Sequence, residues 1–386
     1  MVIVKLFFLI LYLFSFLFKR KKNLWLFGSE TGFDGNPKYL YLYILEKHPE
    51  ICVIWISKRK EECLKLQKRG LKSYYSYSLK GLYFSLRANF YIVSGSLADI
   101  NFYTSGGAKY VQLWHGIGLK KCLWSNPNSN LNTLPFYIGF VQRPSFYIKP
   151  DFILGASSMM NKILAEMLNT DSSKCKSIIY PRCSIFFLEE KLRLEKIKKW
   201  EGSYMYDFAK WLLAFDKVYI YMPTFRDNNP KFLESQNWNL QILNNELKKN
   251  NSVLLIKLHP HMQDNITFDN FSNMRVLDKK TDIYPLLPFT HSLITDYSSI
   301  YYDYILMDHK EVLLYIPDLS DYLSKSRELL MDYSENCKGK ILNSFEDLLK
   351  ALSDYNEVDV SSLRQKFWGN SIHTTMEDLY DVIKTL

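Results

Sequence analysis

Short, unbroken apolar runs alternate along this chain with stretches of helical period. The runs at 24–29 (LWLFGS), 51–57 (ICVIWIS), 90–95 (FYIVSG), 110–116 (YVQLWHG), 150–157 (PDFILGAS) and 177–182 (SIIYPR) are too short for buried helices. They are rich in β-branched and aromatic residues, so each predicts a strand. Lys38–Lys47 and Glu61–Arg69 predict helices, the second stopped by Gly70. A charged stretch, Glu189–Lys199, breaks the alternation and reads as a helical connector. The pattern resumes at 217–227 (KVYIYMPTFRD), 253–261 (VLLIKLHPH), 274–278 (MRVLD), 291–299 (HSLITDYSS) and 311–318 (EVLLYIPD). Helices are expected at Ser299–Met307 and Phe345–Leu352, with a closing helix or helix pair over 361–386. Strands alternating with helices imply βαβ units and a mainly parallel sheet. The expected fold class is α/β, with two facing, doubly wound Rossmann-like domains at 23–200 and 201–386.

Residues 1–22 stand apart. Leu6–Phe18 (LFFLILYLFSFLF) is apolar except for Ser15 and the Tyr12 hydroxyl, and Lys19-Arg20-Lys21-Lys22 follows at once. As a helix this run reaches ~20 Å, short of the ~30 Å hydrocarbon core of a bilayer. A cleaved signal peptide is disfavoured, because the positive charge follows the apolar run and no small-residue cleavage site comes after it. A membrane-embedded or interfacial helix is the preferred reading, with a true span and a buried helix as alternatives. The basic tetrad favours anionic headgroups of the cytoplasmic leaflet. That places the protein at the cytoplasmic face of the cell membrane, peripheral or anchored by its N-terminus.

Charge narrows the partners. A net charge of +9 over 386 residues suits a nucleotide, a phosphate polymer or a membrane surface. Without zinc-finger spacing or a nucleic-acid motif, no nucleic-acid partner is expected. The six cysteines are scattered with no CxxC, which reads as reduced thiols in a cytosolic compartment. The absence of a Walker A loop, a GxGxxG fingerprint and a GxSxG elbow argues against kinase, dehydrogenase and serine-hydrolase chemistry.

Four segments carry chemistry, each where a strand-like run ends. In open α/β sheets that edge is where ligands bind. Trp114-His115-Gly116, with Lys120 nearby, puts an imidazole before a glycine that frees the backbone to turn. Such a histidine can take a proton from an attacking hydroxyl, or can simply be hydrogen-bonded at the sheet edge. In His259-Pro260-His261, proline bars a helix at His259 and so fixes its direction, which suits phosphate, with Lys257 adding charge. A metal pair is disfavoured there: the two histidines alternate faces in an extended segment and no further ligand joins them. Thr295-Asp296-Tyr297-Ser298-Ser299, then Asp303, offers hydroxyls at a helix start that can hold phosphate. Capping alone would also explain the serines, and Asp303 reads equally as a polar-face residue. In Pro223-Thr224-Phe225-Arg226-Asp227, Arg226 could grip phosphate bidentately or form a surface turn with Asp227.

In this order the four segments resemble the CDP-glycerol glycerophosphotransferase family, which contains the teichoic acid primases and polymerases. The likeness runs from about Leu24 to Leu352 and includes Asp303-Tyr304, Tyr315, Asp318-Leu319 and Tyr322. It implies the GT-B architecture and transfer of a polyol phosphate from CDP-glycerol or CDP-ribitol to a hydroxyl, with release of CMP. The acceptor it implies is a lipid-linked glycan or polyol phosphate at the membrane surface. By that likeness His115 is the base, with Trp114, Gly116 and Lys120 on the acceptor side. His259, also placed in the catalytic set, faces the donor phosphates. Arg226, Lys257, Thr295, Asp296, Ser298, Ser299 and Asp303 form the donor site. No cofactor is required and no protein metal site is expected, magnesium remaining open as a companion of the donor phosphates. Ile117-Gly118 after the WHG segment, Cys183-Ser184 after Pro181-Arg182, and Lys325-Ser326-Arg327 depart from the family pattern. They bear on acceptor and polyol identity more than on reaction class. Two alternatives stand: a GT-B glycosyltransferase using a nucleotide sugar, and a noncatalytic scaffold that binds phosphate polymers.

Overall fold

The computed structural model describes residues 2–386 except 119–120, 227, 260, 263–267, 269, 326–329 and 355–356. The chain divides into two compact units. One comprises 1–115, 121–184 and 366–386, and the other 116–120 and 185–365. The charged connector, helical from Glu190 to Trp200, falls inside the second unit, and the last residues return to the first.

The first unit holds seven strands: β1 Lys21–Gly28, β2 Cys52–Ser57, β3 Ser73–Tyr75, β4 Ala88–Val93, β5 Lys109–Gln112, β6 Phe152–Gly155 and β7 Cys175–Ser177. Their order is β3-β2-β1-β4-β5-β6-β7, with every pairing parallel. The second unit holds six: β8 Lys217–Met222, β9 Ser252–Ile256, β10 Met274–Val276, β11 Ser292–Thr295, β12 Glu311–Tyr315 and β13 Lys340–Leu342. Their order is β10-β9-β8-β11-β12-β13, again all parallel. Helices cover both faces of a parallel sheet, which is why these strands read as continuous apolar runs instead of alternating ones. Leu26, Ile54, Tyr91 and Val93 pack in one core, and Tyr219, Leu254, Ile256 and Leu313 in the other. Each fully buried side chain of this size contributes roughly 1.5–3 kcal/mol.

Chain order reverses between β1 and β4 in the first sheet and between β8 and β11 in the second. Such switch points open a crevice at the carboxyl ends of the strands. His115 follows β5 in one unit; Arg226, His259 and Ser298 follow β8, β9 and β11 in the other.

The expected strand at 177–182 is displaced. β7 ends at Ser177, and Pro181–Phe187 is a 3₁₀ helix, because Pro181 cannot donate to a sheet ladder. The N-terminal helix, α1, spans Val2–Ser15 instead of Leu6–Phe18. It docks on the first unit: Tyr12 stacks on Phe102 with ring centroids 4.5 Å apart, and Ser15 Oγ accepts the Gly106 N–H at 2.8 Å. The basic tetrad is also partly structural. Arg20 donates to the carbonyls of Ser85 (2.7 Å), Ala88 (3.2 Å) and Thr104 (2.8 Å), while Lys21 and Lys22 open β1. Among the described residues no helix is long and apolar enough to cross a membrane.

Candidate functional site

In the first unit the site is built around a strained turn. Trp114 has φ +52°, a left-handed conformation that costs a bulky residue about 1–3 kcal/mol. Gly116 follows with φ +130°, which a side chain would resist. Several groups hold the turn. The Trp114 N–H donates to Gln112 Oε1 at 3.0 Å, and the Trp114 ring stacks on the His115 imidazole, centroids 4.3 Å apart. Arg182 Nη1 donates to the His115 carbonyl at 2.8 Å. Asn36 Nδ2 donates to the carbonyls of Leu113 (2.9 Å) and Trp114 (3.1 Å).

The His115 ring is positioned from the neighbouring strand end. Its Nδ1 lies 3.2 Å from the Ser94 carbonyl oxygen, which can only accept, so Nδ1 carries the proton. In the neutral ring Nε2 is then the basic nitrogen. Asp99 shapes the Ser94–Ser96 loop, its carboxylate accepting the N–H groups of Gly95 (2.8 Å), Ser94 (3.3 Å) and Ser96 (3.3 Å). The ring keeps solvent-exposed surface although protein crowds around it. That crowding lowers the His115 pKa, and the Arg182 guanidinium lowers it further against the opposing Ser94 hydrogen bond. Solvent access limits the size of the shift. An imidazole neutral at pH 7, with its basic nitrogen defined, suits a general base.

In the second unit one guanidinium ties three strand ends together. Arg226, 5% exposed, meets Asp296 at 2.7 Å and grips Asp318 through Nε (2.6 Å) and Nη2 (3.0 Å). Asp296 also accepts the Thr224 N–H, and Phe232 lies under the guanidinium, 3.5 Å to the ring centroid. Burial alone would lower the Arg226 pKa; the two carboxylates together outweigh it and hold it raised. This corrects the surface-turn alternative: Arg226 is an internal strut between the ends of β8, β11 and β12, and its guanidinium is committed to Asp296 and Asp318.

Thr295 and Asp303 are buried too, while Lys257 is half-buried. Thr295 donates its hydroxyl to the Met222 carbonyl at 2.8 Å, joining β11 to β8. Asp303, inside the helix Ile300–Tyr304, is buried and accepts the Tyr284 hydroxyl, so it is not on a polar face. The Lys257 ammonium donates to the carbonyls of Asp278 (2.9 Å) and Lys279 (2.5 Å). Lys120, Asp227, Pro260, Ser326 and Arg327 lie outside the described residues.

Ser298, Ser299 and His259 also meet solvent. Ser299 is exposed and Ser298 half-buried at the start of Ile300–Tyr304, where the N-cap Ser299 makes no side-chain capping bond. Simple capping therefore does not account for that hydroxyl. His259 is exposed beside Phe225, ring centroids 5.6 Å apart. Its Nδ1 accepts the His261 N–H at 3.2 Å, so the neutral ring carries its proton on Nε2. The tautomer is opposite to that of His115, and it suits donation to a phosphate oxygen.

The sequence reading missed Asn36, Asp99 and the role of Arg182. Asn36 lies between Gly35 and Pro37 at the start of the helix Gly35–Lys47 (α2) and gave no motif of its own. Among the described residues no cluster of three or more His, Cys, Asp or Glu could hold a metal ion.

These features agree with a family match. Residues 10–378 fit the sequence model described as CDP-Glycerol:Poly(glycerophosphate) glycerophosphotransferase. The chain belongs to this family. It is 26% identical over 348 residues to the teichoic acid glycerol-phosphate transferase of Staphylococcus aureus, covering 87% of this chain and 85% of that protein. With the teichoic acid poly(glycerol phosphate) polymerase of Bacillus subtilis it shares 23% identity over 348 residues. That match covers 88% of this chain but 45% of the polymerase, so the chain spans about half of that relative's length. In three dimensions it matches the wall teichoic acid polymerase TagF with a TM-score of 0.71 at 19% identity, over 95% of this chain and 90% of that one. A TagF variant soaked with CDPG matches with a TM-score of 0.69 at 18% identity, over 95% and 90%. At this identity the structural likeness establishes the fold, an α/β fold with parallel sheets close to that of TagF.

Proposed function

We propose that this glycerophosphotransferase-family chain moves a polyol phosphate, glycerol phosphate first, from a CDP-activated donor to a hydroxyl of a lipid-linked glycan or polyol-phosphate acceptor. The setting is teichoic acid or capsule polysaccharide synthesis. The observation that carries the reading is the pair of histidines with opposite proton placement, one fit to accept a proton and the other fit to donate a hydrogen bond. The acceptor oxygen attacks the phosphorus that bears the polyol, and its proton passes to His115 Nε2. The new O–P bond forms as the phosphoanhydride bond breaks, and CMP leaves with the electron pair. His259 Nε2–H and the Ser298 and Ser299 hydroxyls stabilise the phosphate oxygens. Catalysis rests on positioning and electrostatics. A magnesium ion, where used, arrives with the donor phosphates.

Incubation with CDP-glycerol or CDP-ribitol, with and without lipid-linked acceptor, tests this through CMP release. The expected result is acceptor-dependent CMP release, faster from CDP-glycerol. Turnover of a nucleotide sugar with none of CDP-glycerol would make the chain a glycosyltransferase. Donor binding with no turnover would make it a scaffold.

We also propose that α1 seats the protein on the cytoplasmic face of the membrane. Ile10, Leu13, Phe14 and Leu17 are exposed, as are Phe136 and Tyr137 of the helix Phe136–Gln142, which packs against α1. An apolar face beside exposed Lys19, Lys21 and Lys22 suits an anionic interface. Leu13→Ser, Phe14→Ser and Leu17→Ser together should release the protein from anionic vesicles. Undiminished co-sedimentation would refute this seat.

A further inference from the structure

We infer that Asn36 is a positioning residue for the His115 base, acting by pinning the two peptide planes that flank Trp114. This inference rests on the proposed role of His115. The Leu113 carbonyl belongs to the peptide plane before the Trp114 Cα and fixes its φ; the Trp114 carbonyl belongs to the plane after it and fixes its ψ. A single carboxamide nitrogen donates to both, at 2.9 and 3.1 Å. The left-handed Trp114, at φ +52°, is thereby locked from both sides.

The lock itself has little freedom. Asn36 is fully buried, follows Gly35 at φ +61°, and precedes Pro37, which restricts its backbone. Its Oδ1 accepts the Arg182 N–H at 3.3 Å, and Arg182 Nη1 in turn holds the His115 carbonyl. Asn36 thus joins the first βα loop, the Trp114–His115 turn and the Pro181–Arg182 turn. Without its two donated bonds Trp114 can relax to an ordinary negative φ. His115, one residue on, then swings away from the Ser94 carbonyl that defines its tautomer. Both amide hydrogens are used, so no smaller or acidic side chain replaces it: a carboxylate would put an anionic oxygen, in place of the amide nitrogen, against two carbonyls.

The test compares Asn36→Asp, close in shape but lacking the donors, with Asn36→Ser as a second variant should the first fail to fold. Thermal unfolding confirms a folded protein. The expected result is a kcat lower by about 10²-fold with donor KM little changed, the size of effect a misplacement near 1 Å produces. In nitrogen NMR of histidine-labelled protein, the His115 ring should change from Nδ1–H to a mixture of tautomers. A lower melting temperature with unchanged kcat, or with an unchanged His115 tautomer, would reduce Asn36 to a structural residue and overturn the inference. His115→Ala is assayed alongside. If it keeps turnover, the base reading has failed instead, and the NMR result still judges Asn36 without reference to the reaction.

Discussion

The edge around His115 and the edge around Arg226 solve opposite problems with the same polar chemistry. At the first, the imidazole proposed as base stays open to solvent while buried neighbours hold its backbone in a strained turn. At the second, the charged side chain is itself buried, and half-buried Ser298 and exposed Ser299 sit on a loop it braces through Asp296. Charge is therefore a poor guide to exposure. Arg226 carries full charge at its edge and is buried; His115 is neutral at pH 7 and exposed. The histidines repeat the lesson, since backbone partners alone give His115 and His259 opposite proton placements.

The largest effect should follow from His115→Ala. If the ring is the base, turnover should fall about 10²-fold to 10⁴-fold while donor affinity changes little. Steady-state kinetics together with donor calorimetry separate these quantities. Near-wild-type turnover in a folded variant would end the contrast, leaving His115 as an ordinary sheet-edge histidine.

Arg226→Met tests the other edge. Removing one member of a buried ion pair strands its partners, here Asp296 at 1% and Asp318 at 24% exposure. The expected loss is about 3–5 kcal/mol of stability in denaturant unfolding. A folded variant of unchanged stability that had lost donor affinity would return Arg226 to the phosphate-binding role first expected of it.

Much of both edges was legible in the sequence. Parallel strands buried on both faces leave runs such as 51–57 and 253–256 that local reading finds. β3 and β13 escaped because three residues set no period. His115, His259 and the serines stood out as chemistry-bearing residues beside strand ends. What stayed hidden depends on distant partners. Nothing at Arg226 announces Asp318, 92 positions away, and nothing at Asn36 announces Leu113, 77 positions away. The sequence shows that a donor or a charge exists; only the fold decides whether it faces substrate or backbone.

Ser298→Ala with Ser299→Ala should have a smaller effect, weakening donor binding about tenfold, the scale of one or two hydrogen bonds to a charged group. The motivation is the exposed Ser299 hydroxyl that makes no capping bond. Unchanged donor affinity by calorimetry would show that the second edge braces a loop without using its hydroxyls.

The smallest expected effect separates the edges by pH. The His115 pKa lies below its ordinary value near 6.5, lowered by crowding and by Arg182. The base is therefore more than half neutral at pH 6.5, and kcat/KM should fall as pH drops below that. Stability follows the same sign. A depressed folded pKa gives stability that is full above the unfolded value and lost as pH falls through the folded one, because the unfolded chain takes the proton first. Asp99 runs the other way. Burial outweighs its three backbone N–H bonds, and Glu30 adds repulsion, pushing its pKa up to about 6. Its share is full below the unfolded value near 3.9 and is lost as pH rises through about 6. The two trends oppose each other, and the large Asp99 shift outweighs the His115 shift that solvent access limits, so these two groups together should lower the wild-type melting temperature as pH rises through about 6. His115→Gln removes only the first, so the variant should lose slightly more stability than wild type as pH rises through that window, the difference being small because His115 is solvent-exposed. If melting curves of His115→Gln and wild type shift in parallel with pH, the ring has no depressed pKa. The proton-accepting edge would then hold its base no more tightly poised than free histidine.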